Sequence, residues 1–292
     1  MNILTFDIEE WYQEKVYFGN HSERYKEYDL YLDRILETLD KRGVKATFFC
    51  LGGMATEFPD VVKKIAENGH EIGCHSFKHV WLNKMSLEEL REDTKSAVDA
   101  LEQCIGKKMV SYRAPAFSIG KDNKWAFEVL GEMGIRIDAS IFPANRAFGG
   151  FPQFDAKSPV LVYDERTVMK EFPISTTLLW GHELAYSGGG YFRLFPLGFV
   201  RKEMAKSDYN MAYFHIRDLI PETSGVLSRE KYESYFKEPG TLKNRYSRHI
   251  KTNLGKKHAF DKMVRLIQTE DFVNLEQADR MIDWKSQSTV VL

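Results

Sequence analysis

The feature that most constrains the fold is a repeated alternation between short apolar runs and amphipathic stretches. Residues 3–6 (ILTF) and 44–51 (VKATFFCL) are apolar and rich in β-formers, whereas residues 32–39 between them carry leucine and isoleucine at helical spacing. Gly43 stands where the helix is expected to stop. This alternation predicts strands joined by helices, and such units form parallel sheets with right-handed crossovers.

The alternation weakens in two places. Residues 143–192 are rich in glycine, proline and aromatics and predict a loop-rich insertion, after which residues 211–215 restore the strand pattern. A final helix is expected to lead into a last strand over residues 272–275. A chain of 292 residues with this pattern predicts one α/β barrel domain, with a core over about 1–220 and a C-terminal extension over about 221–292.

Composition excludes several classes of protein. Lys+Arg (41) and Asp+Glu (42) nearly cancel and no basic block is present, so we expect no nucleic-acid partner. No apolar run approaches the ~18 residues of a membrane span, and residues 1–7 (MNILTFD) resemble a first core strand and not a signal peptide. Cys50, Cys74 and Cys104 are scattered, which suits free thiols in a reducing compartment. We therefore expect a cytoplasmic protein, and the oligomeric state is left open.

Side chains that can carry chemistry follow several of the predicted strands. The carboxyl ends of parallel strands gather at one edge of an α/β fold, where active sites form. The acidic run at residues 7–10 (DIEE) follows the first strand, and Arg113, Asp138 and His215 each end a later one. A lone histidine or arginine is more often structural, so the shared position of these residues, and not any one of them, predicts a common site.

Two histidines add a candidate metal site. His75 and His79 lie four residues apart just after an apolar strand, and on a helix or tight turn this spacing directs both imidazoles to one point. Two histidines and one carboxylate are a common zinc ligand set, and Asp7, Glu9 and Glu10 are the candidate carboxylates. Three carboxylates in four residues repel one another unless water or a cation separates them. From these residues alone, a solvated acidic turn beside two surface histidines stays an open alternative.

Together these residues resemble the motifs of the polysaccharide deacetylases, also called the NodB-homology or carbohydrate esterase family four enzymes. Residues 5–9 (TFDIE) resemble the first motif and residues 75–79 (HSFKH) match H-S/T-x-x-H. Residues 113–117 (RAPAF) match R-x-P-x-F, residues 138–140 (DAS) resemble D-x-S, and residues 213–215 (YFH) lie where the family has its last histidine. The combination is specific, although each motif is short.

The resemblance implies a fold and an activity. The fold is a distorted (β/α) barrel of about seven parallel strands, with the loop-rich insertion and the C-terminal extension. The activity is metal-dependent removal of acetyl groups from N-acetylated sugars of a polysaccharide or its precursor, with one divalent metal ion, expected to be zinc. The partner is a glycan or lipid-linked saccharide. Residues 117–119, 138–143 and 188–193 further resemble the branch associated with exosortase and exopolysaccharide gene clusters, which is compatible with a location beside a membrane glycan-synthesis complex.

The resemblance also implies a metal site and a base. Glu9, His75 and His79 hold the metal, and Asp7 is the general base. Arg113 pairs with Asp7 and orients it.

The remaining roles concern the leaving group and the substrate. His215 protonates the departing amine, and Asp138 holds its imidazole. A backbone N–H near Tyr112 stabilises the oxyanion, and Tyr112 and Pro115 are the predicted substrate-binding residues.

The sequence departs from the family pattern in two places, and two other functions stay open. The usual first motif has adjacent aspartates, whereas here Asp7 is followed by Ile-Glu-Glu, so that Glu10 remains a possible ligand in place of Glu9. The exosortase branch continues its last histidine with Pro-Trp-Glu, whereas His215 is followed by Ile-Arg-Asp. A cyclic amide or ureide hydrolase of the same fold, or an inactive glycan-binding protein, are the alternatives.

Overall fold

The structure is a computed structural model that describes residues 1–146, 149–164, 167–221, 225–236 and 238–292. Its centre is a nine-stranded sheet, beside which lies a separate two-stranded sheet. In chain order the strands are β1 (Asn2–Ile8), β2 (Thr47–Cys50), β3 (Glu71–Cys74), β4 (Ser111–Tyr112), β5 (Ile137–Asp138), β6 (Val160–Asp164), β7 (Thr167–Glu171), β8 (Thr176–Leu179), β9 (His182–Ala185), β10 (Asn210–His215) and β11 (Thr289–Val291).

Helices surround the central sheet. They are α1 (Glu10–Gln13), α2 (Ser22–Arg42), α3 (Gly52–Glu57), α4 (Pro59–Glu67), α5 (Leu87–Ile105), α6 (Ala126–Glu132), α7 (Gly189–Leu194), α8 (Leu197–Met204), α9 (Ile216–Leu219), α10 (Arg229–Phe236), α11 (Leu242–Asn253), α12 (Ala259–Thr269) and α13 (Leu275–Met281). A π-helical turn over Glu14–Phe18 follows α1, and 3₁₀ turns cover Leu82–Lys84, Pro115–Phe117, Lys121–Asn123 and Lys256–His258. Among the described residues, no helix is long and apolar enough to cross a membrane.

The helix boundaries follow local sequence signals. Helix α2 ends at Gly43, whose positive φ of 62° is a conformation that glycine adopts at little cost. Helix α5 begins with a capping box, in which the Ser86 side chain accepts from the Glu89 amide and the Glu89 side chain accepts from the Ser86 amide. Both ends are where the sequence predicts them.

The central sheet confirms the predicted barrel of about seven parallel strands. Its order is β10-β1-β2-β3-β4-β5-β7-β6-β11, and every pair from β10 to β7 is parallel. Strand β6 is antiparallel to β7 and extends the sheet outward, where β11 joins it. The seven parallel strands bring their carboxyl ends to one edge, as βα units require.

Strand β1 divides the core into two layers. Leu4, Phe6 and Ile8 belong to the larger apolar cluster under the helices, whereas Ile3 belongs to a second cluster inside the curved sheet. Because side chains alternate along a strand, Asp7 faces the same interior as Ile3. A carboxylate at the end of β1 therefore points into the barrel and not toward the helices.

The segment that follows β7 is joined to the edge strand β10, at the other end of the parallel set, by isolated hydrogen bonds. The amide of Met211 in β10 donates to Ser175 Oγ (2.8 Å), and the amide of Tyr213 donates to the Ser187 carbonyl (3.3 Å). The Tyr209 hydroxyl donates to the carbonyl of Pro173 (2.7 Å). The segment after β7 thereby lies along the free edge of β10 and closes a distorted barrel.

Two local predictions need correction. Residues 143–192, expected to be a loop-rich insertion, contain the hairpins β6–β7 and β8–β9 as well as α7. In β6, Val160 and Val162 are buried while Tyr163 is exposed, a strand period that is too short to stand out in the sequence. Residues 272–275 form no strand beyond one bridge from Val273 to Ile3, because α13 begins at Leu275; the last strand is β11.

The C-terminal residues pack against the core at two places. Helix α12 lies on α2, where the Arg34 guanidinium stacks 4.2 Å from the Phe260 ring centroid. Strand β11 pairs with β6.

A buried neutral histidine makes the fold acid-sensitive. His70 is 4% exposed, its Nδ1 accepts from the Ala46 amide (3.3 Å), and burial lowers its pKa from 6.5 to about 4. Between those values the unfolded chain binds a proton that the folded chain does not, so stability falls as pH drops from 6.5 to 4. We expect His70→Asn, whose amide oxygen can replace Nδ1, to recover about 2 kcal/mol of the loss near pH 4.

Urea unfolding of both proteins at pH 7 and pH 4.5 checks this. The same pH dependence in both would show that His70 is not the group responsible.

Candidate active site

The predicted residues meet at the carboxyl edge of the barrel. Asp7 ends β1, His75 follows β3, Arg113 follows β4 and His215 ends β10. Parallel registers align these ends directly, since Asp7 is the partner of His215 across β1 and β10. Glu9 and His79 lie on the connections that follow. The structure thus brings together the acidic run, both motif histidines, Arg113 and His215.

Glu9, His75 and His79 form a candidate metal centre. One ligand atom from each lies within 4.8 Å of the others. Glu9 Oε2 is 2.5 Å from His79 Nε2 and 3.7 Å from His75 Nε2. The turn between the histidines makes this possible, because Ser76 and His79 both have positive φ (69° and 61°) and the Ser76 hydroxyl accepts from the His79 amide.

The hydrogen bonds around this centre fit a divalent cation. His75 Nδ1 lies 2.7 Å from the Arg113 carbonyl, which assigns its proton to Nδ1 and leaves Nε2 free as a ligand. Glu9 Oε2 is buried and makes no hydrogen bond of acceptable geometry, despite its short distance to His79. Burial alone raises the pKa of Glu9, but His79 and His75 hold it well below its usual value. An ionised carboxylate and two imidazoles converging on one point are a donor set for zinc or a similar ion.

Glu10 is directed elsewhere. Its two oxygens accept from the Arg217 amide (3.0 Å) and the Glu9 amide (3.2 Å). Burial and the charge of Glu9 raise its pKa. Of the two neighbouring glutamates, Glu9 therefore lies with the histidines.

Asp7 and Arg113 form an ion pair inside the barrel. Arg113 Nη1 donates to Asp7 Oδ1 (2.8 Å), and the two side chains are 0% and 2% exposed. Arg113 also donates to Thr5 Oγ1 (2.8 Å) and the Ala139 carbonyl (3.2 Å), and its guanidinium stacks 4.3 Å from the Phe49 ring. Burial alone raises the pKa of Asp7, but the charges of Arg113, His75 and His215 and the hydrogen bond from Arg113 together lower it below its usual value.

His215 is held by Asp218 and not by Asp138. Asp218 Oδ2 lies 3.1 Å from His215 Nδ1, and Arg193 Nη1 donates to Asp218 Oδ1 (2.8 Å). Burial alone lowers the pKa of His215, but the hydrogen bond to Asp218 and the charges of Glu9 and Asp7 raise it to about 10. The other ring nitrogen, Nε2, faces Asp7 Oδ2 at 3.5 Å.

The expectation that Asp138 orients His215 is therefore wrong. Asp138 accepts from the Ser140 amide (2.9 Å) and hydroxyl (2.7 Å) and shares a hydrogen bond with Glu171. Ser140 Oγ accepts in turn from the Ala114 amide (2.7 Å), so Asp138 supports the loop after β4.

A sequence signal for Asp218 exists. It stands three residues after the histidine, which is also the place of the acid in the Pro-Trp-Glu pattern.

The two predicted substrate-binding residues do not line the main cavity. The Tyr112 ring is fully buried in the apolar core, and its backbone pairs with Cys74 and Asp138 in the sheet. The next amide, that of Arg113, donates to the Cys74 carbonyl. Pro115 is buried at the start of a 3₁₀ turn. Strand pairing thus occupies this region, and the open space lies on the other side of the metal ligands.

That space is a cleft of about 340 Å³ beside Glu9 and His215. One wall comes from Gln13 and Phe18, and the rest comes from residues 215–252. Phe18, Tyr235 and Phe236 form a row of ring contacts at 5.2 and 4.8 Å. Because residues 221–257 are polar and weakly periodic, the sequence pattern did not identify these wall residues.

Comparison with known proteins agrees with this geometry. A family model described as polysaccharide deacetylase matches residues 4–137, and one described as a domain of unknown function (DUF3473) matches residues 139–279. Residues 4–137 therefore form a polysaccharide deacetylase domain. The first model contains the metal-ligand candidates, and the second contains His215, Asp218 and most of the cleft wall.

Individual relatives extend the comparison. The chain is 38% identical to a peptidoglycan-N-acetylglucosamine deacetylase of Bacillus cereus over 96 residues, which is 32% of this chain and 35% of that protein. It is 33% identical to a peptidoglycan-N-acetylglucosamine deacetylase of Listeria monocytogenes over 35% of this chain and 21% of that protein. The chain thus spans about a third or less of these relatives. The crystal structure of a putative polysaccharide deacetylase from Mycobacterium smegmatis covers all of this chain and 92% of its own, with a TM-score of 0.65 at 17% identity, and shows the same fold.

Metal binding tests the centre directly. We expect protein purified without a tag to bind about one equivalent of zinc, and His79→Ala to bind less than roughly a tenth, because two remaining ligands hold a catalytic metal poorly. His182→Ala, which removes an exposed histidine of β9, is the matched control and should bind as the wild type does.

Elemental analysis after equilibration with zinc measures the stoichiometry. Unchanged metal content in His79→Ala would rule out this ligand set.

Proposed function

We propose that the protein is a metal-dependent deacetylase that hydrolyses the acetamido group of an N-acetylated sugar in a glycan or glycan precursor. The observation that carries this is the Glu9, His75 and His79 centre beside both a buried Asp7–Arg113 pair and an Asp218–His215 pair. The polysaccharide deacetylase domain and the names of the curated relatives support the same reaction. Zinc is the proposed metal, and association with exopolysaccharide synthesis stays a prediction.

In the proposed hydrolysis, one residue accepts a proton and a second residue donates one. A divalent metal held by the three ligands would polarise the acetyl carbonyl and make a nearby water more acidic. Asp7 is ionised at neutral pH, and its Oδ2, which the Arg113 contact leaves available, accepts the proton of the attacking water.

His215 carries the second proton. Because Asp218 favours the imidazolium, Nε2 holds a proton at neutral pH and can deliver it to the departing sugar nitrogen. The bond that breaks is the amide C–N bond, and the products are acetate and a free amino sugar.

The two alternatives predict different behaviour. A cyclic amide hydrolase needs a small closed pocket, whereas the cleft here is partly open to solvent. A glycan-binding protein without catalysis needs no paired acid and base residues, yet a buried Asp7–Arg113 pair and a partly exposed Asp218–His215 pair are present next to the metal ligands.

The central test is acetate release from N-acetylglucosamine oligomers by the zinc-loaded protein. We expect release that chelator abolishes, and a loss of about 10² or more in kcat for Asp7→Asn, because the variant cannot accept a proton. Asp122→Asn, at an exposed position, should retain wild-type kcat. Near-native turnover by Asp7→Asn would assign the base elsewhere.

A second test separates Asp218 from Asp138. We expect Asp218→Asn to lower kcat roughly 10²-fold with little change in KM and to alter the basic limb of the pH profile, because the imidazolium loses its partner. Asp218→Glu should recover part of the activity. Asp138→Asn should mainly lower Tm, since its contacts support a loop. The opposite result, with Asp138→Asn changing the pH profile and Asp218→Asn silent, would restore the role first expected for Asp138.

A further inference from the structure

Residues 139–279, which the family model for a domain of unknown function matches, supply a wall of the cleft that carries cationic side chains. Helix α11 (LKNRYSRHIKTN) carries four lysines and arginines and no acidic residue. Arg245, Arg248 and His249 on this helix line the cleft, facing the metal-ligand candidates across the open space. The cationic side of the helix thus lies toward the active site.

Arg217 adds a third arginine to this wall, beside Arg245 and Arg248. Two of the three, Arg217 and Arg248, have acidic partners. Arg217 Nη2 donates to Glu14 Oε2 (3.2 Å), and Arg248 Nη2 donates to Glu238 Oε1 (3.1 Å). Three arginines against two glutamates leave a net charge of +1. Each of the two paired guanidiniums also covers an aromatic ring of the cleft, Arg217 on Phe18 at 4.1 Å and Arg248 on Phe236 at 4.4 Å.

Arg245 is the source of the excess charge. Its Nη1 donates to the Leu227 carbonyl (2.9 Å), and its Nε is buried without a hydrogen-bond partner. Glu233, the acidic residue that its charge influences, forms its ion pair with Arg229 and not with Arg245. A buried N–H without an acceptor is costly unless a ligand supplies one. Guanidinium groups bind carboxylates and phosphates through paired hydrogen bonds.

The acidic residues of the cleft do not neutralise this wall. Glu9 lies with His75 and His79, and Asp218 contacts both His215 and Arg193. Negative charge is therefore concentrated at the reacting end of the cleft and positive charge at the end formed by α11.

We propose that the α11 wall, centred on Arg245, is an anion subsite, so that the substrate is an N-acetylated sugar carrying a carboxylate or phosphate near the acetamido group. This rests on the proposed deacetylation and adds the substrate class to it. The row of Phe18, Tyr235 and Phe236 offers apolar surface to the sugar, while Arg245 receives the acidic group. The segment of unknown function thereby selects the glycan on which the metal-binding half acts.

Binding can be measured without turnover by using sugars that lack an acetyl group. Zinc-loaded protein is titrated with cellobiose as the neutral probe, cellobiouronic acid as the carboxylate probe and glucose 1-phosphate as the phosphate probe, followed by ligand NMR. We expect at least one acidic probe to bind roughly tenfold or more tightly than cellobiose, the scale of one charge-assisted pair. The acidic probe that binds with the higher affinity identifies whether the subsite prefers a carboxylate or a phosphate. Equal affinity for all three would overturn the subsite.

A pair of variants on one helix locates the interaction. Arg245→Gln should lose most of the preference for the acidic probe, whereas Lys243→Gln, with the same charge change at an exposed position of α11, should stay within about twofold of wild type. An acidic probe that binds Arg245→Gln as tightly as wild type is held by the metal or another group, and that result overturns the proposal.

Salt dependence of the wild-type protein provides a measurement that needs no variant. Raising ionic strength from about 50 to about 500 mM should weaken the acidic probe and leave cellobiose unaffected. Because no probe contains an acetyl group, these results are independent of the acetate assay. Selective binding without acetate release from an N-acetylated sugar that carries the preferred acidic group would retain the subsite and reject deacetylation. Acetate release without selective binding would do the reverse.

Discussion

The buried ion pair between Asp7 and Arg113 is the interaction on which the rest of the site depends. Both charges lie inside the barrel, so their desolvation must be offset by their mutual attraction and by the additional bonds of the guanidinium to Thr5 and the Ala139 carbonyl. Removing either partner leaves an uncompensated buried charge, a change that costs about 3–5 kcal/mol in comparable cases. The pair therefore joins the ends of β1 and β4 and also orients the carboxylate that is proposed as the base.

This interaction also links the two halves of the site. The carbonyl of Arg113 receives the Nδ1 proton of His75 and so orients a metal ligand, while its side chain orients Asp7. Asp7 in turn faces His215 from the second half of the chain. One residue after β4 thus positions a proposed metal ligand and the proposed base, and that base lies next to the residue proposed as the acid.

The division of labour follows the chain. The first half supplies the proposed metal ligands, the proposed base and its arginine, all at or just after the ends of strands whose order is set by βα units. The second half supplies His215, its partner Asp218 and a wall of aromatic and cationic residues. Neither half holds a complete site, because the cleft lies between them. A relative that resembles this chain only in the first half can therefore catalyse the proposed deacetylation and still recognise a different glycan.

The sequence by itself determined the parallel barrel and the meeting of Asp7, the motif histidines, Arg113 and His215, because hydrophobic period and motif spacing are local and parallel strand ends share one edge. Only the tertiary structure decided that Asp218 and not Asp138 contacts His215, that Glu9 and not Glu10 joins the histidines, and that α11 turns its cations toward the cleft. Those outcomes depend on the direction of a side chain or on the packing of residues distant in the chain. A strand period or a motif does not encode either of them.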